Sequence, residues 1–146
     1  MKRIIFIVAI IFAQFTCAQD CKISFDKLLV LVEYTRSDFE TFALKNGFSY
    51  DIKNNLYYCD KKDVKNNGRW LKQIEKEGFL NVDYFFQDKL EYLNFKEILE
   101  KGELFETKED TDSFLLKYML NGNLHYLSTI SVGGKNTYMV SIGNYK

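Results

Sequence analysis

The 146-residue chain contains no proline, a single histidine (His125), and no excess of either charge, with 20 Lys and Arg against 20 Asp and Glu. Each shortage excludes something. Without proline there is no proline-rich linker. Balanced charge with no run of one sign gives no electrostatic case for nucleic acid or an anionic membrane surface. One histidine leaves a catalytic triad or a His-metal site without an obvious partner. A glycine-rich phosphate loop is also missing. Gly133-Gly134 precedes Lys135, but it joins two predicted strands and opens no helix. No cofactor or metal is implied. A hydrophobic fraction of 47% rules out a disordered chain.

The one long apolar run is N-terminal. Met1-Lys2-Arg3 is a short basic start, Ile4 to Ala13 is unbroken apolar sequence, and Thr16 and Ala18 are the small residues before a cut ahead of Gln19. This pattern predicts a secretory signal peptide over residues 1–18. The run is about half the ~20 residues of a spanning helix, so no transmembrane segment is expected once it is cleaved. Cys17, preceded by Gln14, Phe15 and Thr16, departs from a lipobox, and lipidation is not expected. Residues 19–146 then form one domain of 128 residues with 18 basic and 20 acidic side chains. Export, to the periplasm or the extracellular space, leaves Cys21 and Cys59 as an even pair. They predict a disulfide closing a 38-residue loop, against the alternative of two free buried thiols.

The mature sequence reads as one unit written twice at an offset of 56. Phe39 matches Phe95, Phe48 matches Leu104, Tyr58 matches Phe114, Trp70-Leu71 matches Tyr126-Leu127, and Gly78 matches Gly134. Val82, Tyr84 and Phe86 match Tyr138, Val140 and Ile142. Phe25, Leu28, Leu29 and Val32 recur with helical spacing behind Ser24, a candidate N-cap. Ser37 and Glu40 form a candidate capping box for a second helix ending at Gly47. The period then changes to two. Strands are expected at 48–52, 56–61, 69–75 and 80–87. A helix ending at Gly102 follows, and then strands at 103–108, 113–120, 124–132 and 137–142. Asn121-Gly122 and Gly133-Gly134 read as two-residue hairpin turns. The fold class is α+β: a tandem duplication of an αββββ unit, about 22–88 and 89–146, making one antiparallel sheet or two facing sheets with helices on one face. This element order resembles that of secreted inhibitors of the β-lactamase inhibitory protein type. That resemblance implies a sheet presented to another protein.

Residue-number parity nearly sorts the strands. Even positions from Phe48 to Ile142 are almost all apolar and are expected to face the helices. The odd face mixes polar residues with Tyr57, Leu71, Phe85, Phe105, Lys117, His125, Leu127 and Met139. These eight are the candidate binding face, because exposed apolar area commonly marks a contact surface and Tyr, Phe, Met and Arg are enriched at interface centres. His125 reads as a plain surface strand residue. Asp110 with Asp112, and Asp60 with Asp63, read as turn residues rather than paired catalytic acids. The expected function is a non-enzymatic, exported module that binds a protein partner in the manner of an inhibitor or immunity protein. A homodimer mate could cover the same face. The alternatives are a periplasmic carrier of a small apolar ligand, a structural protein of the envelope, and a hydrolase with an atypical site.

Overall fold

A computed structural model of the chain describes residues 21–59, 68–76 and 78–145. The predicted signal segment, Cys17 and the Asp60–Asp63 pair lie outside them. Helices α1 (Phe25–Leu31) and α2 (Arg36–Lys45) precede strands β1 (Phe48–Asp51), β2 (Leu56–Cys59), β3 (Trp70–Lys76) and β4 (Phe79–Phe86). Helix α3 (Lys89–Leu99) leads into β5 (Glu103–Asp110), β6 (Ser113–Leu120), β7 (Asn123–Val132) and β8 (Lys135–Tyr145). The class is α+β, with three helices among the described residues and one eight-stranded antiparallel sheet.

Local sequence starts each helix. Ser24 accepts from the Lys27 amide and caps α1. The cap of α2 is Thr35, not Ser37. Thr35 Oγ1 accepts from the Asp38 amide at 3.2 Å and donates to the Asp38 carboxylate at 2.7 Å, which places Ser37 inside the first turn. Asp88 caps α3 through the Leu90 and Glu91 amides.

Two meanders meet at the centre of the sheet, in the order β1-β2-β3-β4-β8-β7-β6-β5. β4 and β8 pair there antiparallel, with Tyr84 opposite Val140. Val82–Ile142 and Phe86–Tyr138 stand symmetrically about that pair. The same regularity extends outward by one strand. Gln73 faces Val82 as Thr129 faces Tyr138, and Lys76 faces Phe79 as Val132 faces Lys135. It breaks at β2 and β6, where Tyr57 faces Leu71 while Leu116 faces Leu127, a spacing of 59 rather than 56.

The core lies between the helices and one face of the sheet. Phe39 and Ala43 of α2 are buried over the first meander, with the Phe39 ring edge-on to Tyr57 at 5.6 Å. Phe95 and Leu99 of α3 are buried over the centre, Phe95 lying 5.4 Å from Phe86 and 6.1 Å from Tyr84. Phe25 of α1 packs on both Phe95 and His125. The Cys21–Cys59 disulfide ties the segment before α1 to β2. Cys59 stands opposite Phe48, which is buried on the helix side, the side on which Cys21 also lies.

The expected sorting of faces by parity fails on three strands and, beyond its bulge, on β5. β1, β4, β6 and β8 turn even residues to the helices, among them Phe48, Tyr84, Tyr118 and Val140. β2, β3 and β7 turn odd residues inward, among them Tyr57, Leu71, His125 and Leu127. The reason is geometric. Residues facing each other across a hairpin turn of two residues, or of four as between Asp51 and Leu56, are separated by an odd number of positions, so each such turn exchanges odd for even. Leu120 faces Asn123, and Val132 faces Lys135.

Candidate functional site

The eight residues of the expected binding face do not share a face. Tyr57, Leu71, His125 and Leu127 are core residues beneath the helices. Phe85 and Met139 stand opposite each other on the other face, and Lys117 is on that face too. Phe105 occupies the bulge in the edge strand β5, 62% exposed, with the Lys117 ammonium 5.1 Å from its ring centre. Placing His125 on the surface is likewise corrected. It is 1% exposed and edge-on to Phe25 at 5.8 Å. Burial lowers its proton affinity, against a smaller opposing effect of a hydrogen bond to the Leu120 backbone.

The face away from the helices is built in rows by the register. One row crosses Tyr58, Trp70, Phe85, Met139, Ser128 and Leu115. The next crosses Lys72, Asp83, Ser141, Tyr126, Lys117 and Glu106. Ile74 faces Asn81, and Leu124 faces Met119, in the row beyond. Most of these side chains are half-buried, Ser128 and Ser141 being fully so. Trp70 and Phe85 meet edge to face at 6.1 Å. Among the described residues no helix packs on this face, so neighbouring side chains supply what cover it has. Trp70, Tyr58, Tyr126 and Leu124 belong to it and were missed by parity, whereas Leu115 and Asp83, odd residues on β6 and β4, lie where parity put them. The turns at Asn121-Gly122 and Gly133-Gly134 already carried the signal that would have found those on β7.

Polar groups sit inside this surface. Ser141 Oγ donates to Asp83 Oδ1 at 2.6 Å. Burial raises the Asp83 carboxyl above its ordinary range, opposed by that hydrogen bond and by Lys72 nearby. Ser128 Oγ and Asn81 Oδ1 are buried without a hydrogen-bond partner. Gly143 lies under Phe79 and Asn81; a Cβ there would come within 2.5 Å of both side chains. At the far end Lys117 pairs with Glu106 at 3.5 Å and lies over the Tyr126 ring.

A second cluster lies on the helix side. Glu91 of α3 accepts from Arg69 at 3.1 Å and from the Tyr84 hydroxyl at 2.8 Å, and the same hydroxyl bonds the Cys21 carbonyl. Burial, with the charge of Glu91 beside it, pushes the Tyr84 hydroxyl far up. This ties Arg69, just ahead of β3, to β4, α3 and the N-terminal segment. Next to it a cleft of about 610 Å³ opens between the Lys22–Phe25 segment, the end of α2 at Phe42 and Asn46, and α3 at Leu90 and Ile98. Asp110 and Asp112 lie at the β5–β6 turn, with Asp110 Oδ1 accepting from the Thr111 amide. No cluster of three His, Cys, Asp or Glu suited to a metal occurs among the described residues.

No protein-family model, curated protein or solved structure matches this chain. The likeness to the β-lactamase inhibitory protein type therefore extends no further than element order. The disulfide is compatible with an oxidising, exported compartment, and no described helix is long and apolar enough to cross a membrane.

Proposed function

We propose that the protein is an exported, non-enzymatic binding module, inhibitor- or immunity-like, that engages another protein through the sheet face turned away from its helices. The observation that carries this is the half-buried row Tyr58–Trp70–Phe85–Met139, continuous across the four adjacent strands β2, β3, β4 and β8 and beneath no described helix. Contiguous apolar surface of that kind commonly marks a contact site, and Trp, Tyr, Phe and Met are what such sites concentrate. The basic-apolar leader pattern and the disulfide support export. A duplicated αββββ unit, with a pseudo-two-fold axis through the Tyr84–Val140 pair, accounts for the repeated pairing of β3·β4 and β7·β8 and for the burial of both Phe39–Ala43 and Phe95–Leu99.

The test is affinity capture of the oxidised protein from its own cell envelope and culture fluid, beside a Trp70→Ala/Phe85→Ala/Met139→Ala variant. A stoichiometric protein captured by the first and lost by the second is the expected result. Equal capture by both would remove the face from the account. The cleft between α2 and α3 favours a second reading, a carrier of a small apolar ligand. Native mass spectrometry of protein from its source would then show an adduct, and a clean apo mass in repeated preparations contradicts it.

A further inference from the structure

Resting on the reading of the open face as a docking surface, we infer that Asp83 is its polar anchor and that the protein partner seats an Arg or Lys side chain against it. Asp83 lies on β4, a central strand, with Trp70 and Phe85 in the row on one side and Ile74 and Asn81 in the row on the other. An Asp in such apolar surroundings is costly unless paired. Its charge is answered within the chain by the Ser141 hydroxyl and by Lys72, which faces it across the β3–β4 pair on the same side of the sheet, without an ion pair among the described residues. Two buried polar atoms on the same face are unsatisfied. Asn81 Oδ1, two residues along the same strand, has no partner, and Ser128 Oγ, two strands away on the same face and 6% exposed, has none either. Of the other cations on the face, Lys117 is held by Glu106 and by the rings of Phe105 and Tyr126.

A half-buried carboxylate with the aromatic row of Trp70 and Phe85 beside it and the unpaired Asn81 oxygen on its own strand matches the guanidinium or ammonium of a partner. The charge is neutralised while the stem of the incoming side chain lies along Trp70 and Phe85. Binding would then weaken on acidification at a higher pH than an ordinary Asp dictates. The charged and titratable groups in the same row are Lys72 of β3, Tyr126 of β7, Lys117 of β6 and Glu106 of β5.

The test uses a phage-displayed random peptide library as the probe, panned on the oxidised full chain. Recovered peptides are measured against the wild type and against Asp83→Asn, Trp70→Ala and, on the helix layer, Leu93→Ala, each checked for native circular dichroism. The expected result is peptides that carry Arg or Lys among apolar residues. They bind Asp83→Asn and Trp70→Ala about tenfold or more weakly and Leu93→Ala unchanged. Peptides that need Trp70 but bind Asp83→Asn as well as wild type would overturn the anchor and leave the face standing. Peptides indifferent to both, or none above background, would overturn the reading of the face itself. A concentration-dependent dimer in sedimentation equilibrium that Trp70→Ala dissolves would assign the face to a second copy, and overturn the proposal of a distinct partner.

Discussion

His125 marks where residue-scale chemistry and fold meet. A histidine on a half-polar strand reads as surface, and only the register puts it under Phe25 with Nδ1 unpaired. Its neutral form is the one the core accepts. The unfolded chain takes up a proton near the ordinary value of 6.5, and the folded chain does so only at lower pH. Folding stability therefore owes nothing to this group above that value. It declines as the pH falls below it, and stops declining once the folded site is itself protonated. Urea midpoints at about pH 7.5 and about pH 5 should show wild type losing more stability than His125→Leu over that interval. Parallel losses in both proteins would show that His125 is not held neutral.

At the scale of elements, turns decided more than strands. Alternation in the sequence located every strand of the second meander to within a few residues, and the apolar spacing placed α1 and its Ser24 cap. Which face each strand showed was not legible from alternation alone, because β3, β4, β7 and β8 carry apolar residues at both parities: Leu71 beside Trp70, Tyr84 beside Phe85, Leu127 beside Tyr126, Val140 beside Met139. A strand apolar on both sides has no preferred face until a turn fixes its register to a neighbour. The β2–β3 pairing adds a further change of spacing, which offset arithmetic from Tyr58 to Phe114 could not anticipate. The turns of the two central hairpins are alike in one measurable way. Gly78 has φ +77° and Gly134 φ +76°, and each has open space around its Cα. Ala at either position meets only the backbone penalty, so each substitution should cost about 1 kcal/mol, and the two should cost the same. Chemical denaturation of the two single variants reads both values, and a several-fold difference would contradict the equivalence of the hairpins.

For the whole molecule, the helices close one side of an eight-stranded sheet, and among the described residues no helix lies on the other. The disulfide holds the N-terminal segment in the helix layer, where the Cys21 carbonyl meets Tyr84 at the sheet centre. Closing a 38-residue loop is worth about 4 kcal/mol on the chain-entropy view, so Cys21→Ser/Cys59→Ser should lose stability of that order in urea. A loss well under 1 kcal/mol would mean that the segment is held without it. The central claim, that the open face is the docking surface, is tested most directly by hydroxyl-radical footprinting with and without the captured protein, since Trp, Met and Tyr report oxidation well. The account predicts protection of Trp70, Met139, Tyr126 and Phe85 with Tyr92 and Leu93 of α3 unchanged. Protection of α3 with undiminished oxidation of Trp70 and Met139 would contradict it.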